Sequence, residues 1–173
     1  VNTLIFTPDG PWTVRDLKPD DAPRVLALLR EVAQGLQKRG SGQWASFLDG
    51  GEDIVARRFR EGSVILAERG GRDAGCMALQ NRDGFWDELG HDGAALWIHD
   101  LAVHPAFNRH GLGKALLDLA GNLARANAKS CLRLDVYDSN AKLIAYYARL
   151  GFHAGPAKPW NGMDIRLMEK PLQ

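Results

Sequence analysis

Apolar residues recur along this chain at two different periods, and the switches between them mark out the elements. Residues 12–18 alternate weakly and predict a first strand. Pro19-Asp20-Asp21-Ala22-Pro23 follows as a helix start, with acidic capping residues and a proline in the first turn. Val25, Leu26, Leu28, Leu29, Val32, Ala33 and Leu36 then recur at helical spacing, which predicts a helix with one buried face running to about Gln37. Gly40-Ser41-Gly42 breaks it, and a shorter helix over residues 52–60 carries Ile54, Val55 and Phe59 inward.

The period then changes. Residues 63–68 and 74–80 are short apolar runs joined by Arg69-Gly70-Gly71-Arg72-Asp73, a hairpin by its glycine pair. A polar, aromatic loop over residues 81–93 leads into a strand over residues 95–103, which His104-Pro105 ends because proline cannot donate to a ladder. Helical spacing returns over residues 111–128, with Leu112, Ala115, Leu116, Leu119, Leu123 and Ala126 on one face. A strand (131–137), a helix (140–150) and a terminal strand (163–169) complete the pattern. An antiparallel meander followed by alternating strands and helices predicts an α/β (α+β) fold: a mixed central sheet of about six to seven strands with flanking helices. No internal repeat or low-complexity segment interrupts it, so residues 1–173 read as a single domain.

Composition narrows the partners. Hydrophobic residues at 45% and charged residues at 25% match an ordinary soluble globular protein. A formal net charge of +1 supplies no global field for nucleic acid or an anionic membrane, so any anion site must be built locally. Cys76 and Cys131 sit inside apolar runs and read as buried free thiols. No early apolar stretch resembles a signal peptide, and nothing approaches the roughly 20 apolar residues of a membrane span, so a reducing cytoplasm is the expected compartment. The chain begins at Val1, as a trimmed chain or one with a start codon written as valine would.

The candidate chemistry begins where the strand over residues 95–103 ends. Two glycines two apart, Gly111 and Gly113, open a long helix within Asn108-Arg109-His110-Gly111-Leu112-Gly113-Lys114. Backbone N–H groups at a helix start lack intrahelical partners and sit at the positive end of the dipole, which suits a phosphate. Arg109, His110 and Lys114 add charge around it. A bare G-x-G equally fits a tight turn with no ligand. A Rossmann site lacks its third glycine, since Leu116 stands three after Gly113, and no Gly-Lys-Ser/Thr of a Walker loop follows a four-residue gap.

Read with its flanks, Leu101-Ala102-Val103 followed by Asn108, Gly111 and Gly113 resembles the acyl-CoA-binding signature of the GNAT acetyltransferase superfamily. Asn108 departs from the glutamine or arginine usual there. A second segment agrees: Asp135-Val-Tyr-Asp-Ser-Asn140 through Tyr147 to Gly151-Phe152 is similar to the family's later strand and helix. Resemblance is close over about residues 95–152, and the first ninety residues match in layout. The segment from Gln37 to Trp44 also resembles one found in a group of family members.

The resemblance implies an enzyme moving an acetyl group from acetyl-CoA, as co-substrate, to an amine. The sheet would splay at the acyl-CoA site. Backbone groups at Leu101 and Val103 would pair with the pantetheine arm, the pyrophosphate would lie on N–H groups from Arg109 to Lys114, and the thioester would sit between the strands ending at Val103 and Tyr137. Direct attack needs a neutral amine, a polarised carbonyl and a proton for the thiolate. The N–H of Val103 is the candidate for the carbonyl. Tyr147, a phenol of pKa about 10 at the family's usual general-acid position, is the candidate acid. Its alternative is simple packing beside Tyr146. For the base, Asp135 stands twelve residues before Tyr147, where some protein N-terminal acetyltransferases of the family place a glutamate. His99 and Asp100, on opposite faces by alternation, are rivals.

Asn140 reads as an N-cap, and the resemblance adds a contact to pantetheine. Trp44, Trp86 and Trp160 lie in predicted loops and are candidates for the acceptor pocket, with buried plugs as the alternative. The loop acids Asp49, Glu52, Asp53, Asp87 and Glu88 would attract a cationic amine unless they are simply solvated. His91-Asp92 and His99-Asp100 match no familiar ligand spacing, so no metal is expected. A small-molecule or peptide amine is the expected partner, and a homodimer is common in this fold. Two further readings compete: a non-catalytic acyl-CoA-binding regulatory module, and a transferase using another acyl group.

Overall fold

The computed structural model describes residues 1–89 and 93–173. The described residues form eight strands and four α-helices: β1 (Asn2–Thr7), β2 (Gly10–Asp16), α1 (Ala22–Gln37), α2 (Glu52–Glu61), β3 (Gly62–Arg69), β4 (Arg72–Gln80), β5 (Ala95–Val103), α3 (Leu112–Ala126), β6 (Cys131–Tyr137), α4 (Ala141–Arg149), β7 (His153–Trp160) and β8 (Met163–Pro171). They divide into two compact units, Val1–Gln80 with Asp100–Leu117, and Asn81–His99 with Asp118–Gln173, so β5 and α3 each contribute to both.

The first unit is an antiparallel meander in the order β1-β2-β3-β4, with the end of β5 next to β4. The predicted apolar stripe of α1 is the buried one: Val25, Leu26, Leu28, Leu29 and Ala33 face inward. They pack with Val55 of α2 and with Val64, Leu66, Cys76 and Ala78 of β3 and β4. Gly75 of β4 is required by close approach, because a Cβ there would stand 2.8 Å from the carbonyl oxygen of Ala102.

In the second unit the strand order is β5-β6-β8-β7. β5 and β6 are parallel, in register from Ala95↔Cys131 to Trp97↔Arg133, whereas β6 pairs with antiparallel β8 along its whole length to Tyr137↔Ile165. One face carries Trp86, Ala95, Trp97, Cys131, Ile165 and Leu167 as a core, with Phe85 and Tyr137 against it. Gly121 of α3 lies over Leu132, on the other face of β6.

Eight strands exceed the six to seven expected. β7 (His-Ala-Gly-Pro-Ala-Lys-Pro-Trp) carries two prolines and is mostly exposed, and it is an edge strand, where a missing N–H is tolerated. β1 is the opposite edge and buries only Ile5, while Leu4 and Phe6 point outward. The first predicted strand, residues 12–18, is β2, displaced to Gly10–Asp16. Residues 84–89, expected as loop, form 3-10 turns. No described helix is long and apolar enough to cross a membrane.

Candidate active site

In the first unit the chain leaves β5 through a braced turn. The N–H of His104 donates to the carbonyl of Ala74 at 2.8 Å, and its Nδ1 accepts from the N–H of Ala106 at 3.0 Å, capping the short turn Pro105–Phe107. Its Nε2 meets Glu31 of α1. Phe107 stands edge-on to Trp12 at 5.4 Å, with the Arg72 guanidinium 5.2 Å from its ring centre. Asn108 is extended, and Arg109 and Gly111 then take φ of 69° and 77°. Two left-handed residues turn the chain sharply enough to start α3 at Leu112, which is buried with Leu116 and Leu117. The first helical bond runs from the N–H of Ala115 to the carbonyl of Gly111 at 3.0 Å, so the N–H groups of Leu112 and Gly113 lie ahead of the ladder, at the positive end of the dipole. His110, expected to add charge here, lies 2.8 Å from Asp9 in the β1–β2 turn, and a carboxylate therefore offsets it.

Asp100 interrupts the alternation that would put His99 and Asp100 on opposite faces. Its φ is 50°, left-handed within a strand. Arg58 of α2 holds its carboxylate, with Nε at 2.7 Å and a second nitrogen at 3.5 Å. Leu101 and Val103 follow half-buried, with Ala102 buried between them.

The second unit holds the other candidates. Asp135 of β6 accepts a hydrogen bond from Nε1 of Trp86 at 3.2 Å. Tyr147 of α4 is 7% exposed, edge-on to Tyr146 and Phe152 at 5.4 Å each. Burial raises its pKa well above the ordinary phenol value, and Tyr146 and the negative charge of Asp135 add to the shift. Burial first, and then Asp135, also raise Tyr137. Asn140 is the N-cap of α4, its side chain accepting from the N–H of Leu143 at 3.1 Å. His99 is buried, with Nε2 3.8 Å from Oδ2 of Asp83.

The three tryptophans separate. Trp86 is 2% exposed with its indole N–H committed to Asp135, so it is a buried brace rather than an accessible pocket wall. Trp44 packs edge-on against Phe47 at 5.9 Å beside the first core. Trp160 is 44% exposed at the tip of the β7–β8 hairpin. Of the loop acids, Glu52 pairs with Arg30, Asp87 with Arg82 and Glu88 with Lys158, which offsets their pull on a cationic amine. His91 and Asp92 lie outside the described residues, and no group of three or more His, Cys, Asp or Glu among those described could hold a metal ion. Sequence reasoning missed Arg58 and the bracing role of Trp86. Neither belongs to a motif, and each acts through a partner more than forty residues away.

Residues 29–152 match the acetyltransferase (GNAT) family. The chain belongs to that family. This GNAT chain is 30% identical over 139 residues to the uncharacterised N-acetyltransferase YesJ of Bacillus subtilis, covering 77% of each protein. Its fold matches a GNAT-family acetyltransferase from Listeria monocytogenes with a TM-score of 0.79 and 28% identity, over 98% of this chain and 100% of that one. It also matches YncA of Salmonella typhimurium, solved with its cofactor acetyl-CoA, with a TM-score of 0.64 and 20% identity over 94% of each chain. The GNAT match runs through the turn at Gly111 and both Asp135 and Tyr147, and the protein is an N-acetyltransferase.

Proposed function

We propose that this GNAT enzyme transfers the acetyl group of acetyl-CoA to a primary amine, of a small molecule or a peptide, by direct attack in a ternary complex. The observation that supports the mechanism best is Tyr147 itself, a phenol buried on α4 whose proton is held first by burial and then by Tyr146 and the charge of Asp135. The ammonium first loses one proton to solvent; the neutral nitrogen then attacks the thioester carbonyl and, as the C–N bond forms, gives its second proton to Asp135, directly or through water. The C–N bond forms, the C–S bond breaks, and the departing thiolate takes the proton of Tyr147. Solvent exchange returns the proton from Asp135 to Tyr147, leaving an amide and free CoA.

Asp135 is the favoured base by its place twelve residues before Tyr147, whereas Asp100 is the counter-ion of Arg58 and His99 faces Asp83. The N–H groups of Arg109 to Lys114 cradle the pyrophosphate, with Asn108 shaping the turn, the backbone of Leu101–Val103 pairs with pantetheine, and Asn140 contacts that arm while capping α4. The same reading takes residues 1–173 as one acetyltransferase domain, because the family match extends through both units. It places the enzyme in the cytoplasm, without nucleic acid, membrane or metal as partner. Thiol release from acetyl-CoA, measured against polyamines, aminoglycosides, amino acids and N-terminal peptides, tests it. Amine-dependent thiol release supports the reading. CoA binding with no release for any amine would favour the non-catalytic module, and faster release from succinyl- or longer acyl-CoA would change the donor.

A further inference from the structure

Asp100 is a non-glycine residue held in the left-handed region in the middle of a strand, at φ 50°. Such a backbone is costly for most residues with a Cβ; aspartate tolerates it best when a hydrogen bond holds its short side chain, and inside a strand it needs that support. The support is visible. Arg58, in the last turn of α2, grips the Asp100 carboxylate with two nitrogens, at 2.7 and 3.5 Å, and the two side chains are only 15% and 12% exposed. A cavity of about 10 Å³ beside the pair is walled by Val25, Leu29, Val55, Val64 and Ala78, so the ions attract through apolar surroundings. Arg58 is itself held. A third nitrogen lies 3.5 Å from Oε1 of Gln80, which is 2% exposed and whose Nε2 donates to Glu61 at 3.2 Å. On the backbone side, the thiol of Cys76 reaches the carbonyl of Asp100 at 3.7 Å.

We infer that Arg58 is a positioning residue for the transfer reaction: through Asp100 it fixes the left-handed kink in β5 and so aims the backbone of Leu101–Val103 at the acyl-pantetheine arm. This rests on the proposed acetyl-CoA function. The kink comes directly before the three residues assigned to pantetheine, so its geometry sets the direction of their N–H and C=O groups. Arg58 touches neither substrate nor reacting atoms in this scheme. Its effect is on the fraction of molecules whose β5 is already bent for the cofactor.

Two double variants separate this from a merely structural ion pair. Arg58→Met/Asp100→Gly and Arg58→Met/Asp100→Ala both remove the buried charges and leave a small residue at position 100, but only glycine adopts the left-handed backbone without strain. In the positioning scheme the glycine pair exceeds the alanine pair by about tenfold in kcat/KM for acetyl-CoA and in CoA affinity by calorimetry, with the amine KM equal. Equal values in the two folded pairs would overturn the inference. Should either pair fail to fold, Arg58→Lys, which keeps the charge and loses the fork, reads the same point. It is expected to raise the acetyl-CoA KM several-fold with kcat nearly unchanged, and parental constants would overturn the inference. The unmodified enzyme is the reference for the underlying reading. If it binds no CoA, the acetyl-CoA function itself fails. If it binds CoA and the glycine and alanine pairs agree, only the role of Arg58 fails.

Discussion

Replacing Tyr147 by phenylalanine removes one oxygen and leaves the ring where it packs. The side chain is 7% exposed, and its two edge-on contacts, to Tyr146 and Phe152, are ring contacts that phenylalanine keeps. Folding free energy should therefore change by less than about 1.5 kcal/mol, the ceiling for a near-isosteric core exchange. A role in packing alone predicts no more than that. A role as the acid predicts a fall in kcat of about 10²- to 10⁴-fold, or about 3 to 5.5 kcal/mol of barrier, with the acetyl-CoA KM little changed because the lost interaction belongs to the transition state. Initial rates of thiol release with saturating amine, beside a thermal melt of the same sample, provide the measurement. A kcat within about threefold of the parent in a normally folded Tyr147→Phe variant would refute the acid assignment.

The same substitution has a signature in stability against pH. Burial, then Tyr146 and Asp135, hold the folded-state pKa of Tyr147 above the phenol value of the unfolded chain. A folded pKa raised above the unfolded one gives stabilisation that is full below about pH 10 and is lost as pH rises from there through the folded value. The parent should lose stability above about pH 10 more steeply than Tyr147→Phe, and parallel denaturant midpoints for the two proteins across that range would contradict the burial of an ionisable phenol.

Three further substitutions probe the surroundings. Trp86→Phe deletes the indole N–H that donates to Asp135 at 3.2 Å; if that bond orients the base, kcat should fall several-fold with the acetyl-CoA KM unchanged, and a parental kcat would remove Trp86 as a brace of the base. Asn140→Ala removes the cap of α4 and should cost about 1 kcal/mol, read as a fall of about 2 to 4 °C in Tm, with an added rise in acetyl-CoA KM only if Asn140 also contacts the cofactor. Gly111→Ala places a Cβ at an ordinary 3.6 Å from Thr7 and Pro8, so backbone strain at φ 77°, about 1 to 2 kcal/mol, sets the loss. CoA affinity measured by calorimetry should fall at least fivefold, and parental affinity would detach Gly111 from the phosphate site.

Where the sequence was legible, the signal was periodic and bounded. Residues 95–103 and 131–137 are strands to the residue, because each apolar run ends at a residue set that stops a ladder, and the stripe on α1 is the one that is buried. Edge strands defeated the same reasoning. β7 exposes most of its residues and contains two prolines, and β1 buries only Ile5, so neither shows the half-buried alternation by which a strand is read. The glycine turn and the Asp135–Tyr147 segment were readable because their residues are close in the chain. Arg58 with Asp100 and Trp86 with Asp135 are separated by forty-two and forty-nine positions, and no local pattern encodes such pairings.

Those two contacts also distinguish carboxylates that look alike in the sequence. Asp100 and Asp135 both lie on strands of the predicted sheet, and both were candidate bases. What donates to each makes the difference. Asp100 receives a guanidinium, a full positive charge in an apolar setting, which commits the carboxylate as its counter-ion. Asp135 accepts from the neutral indole N–H of Trp86, which orients one oxygen. Burial first, and then the charge of Asp135, raise the pKa of Tyr137, and burial, Tyr146 and Asp135 together raise that of Tyr147. In the proposed mechanism Asp135 and Tyr147 divide the roles of base and acid. The ion-paired carboxylate of Asp100 is suited instead to holding its own backbone in a shape it would not otherwise adopt.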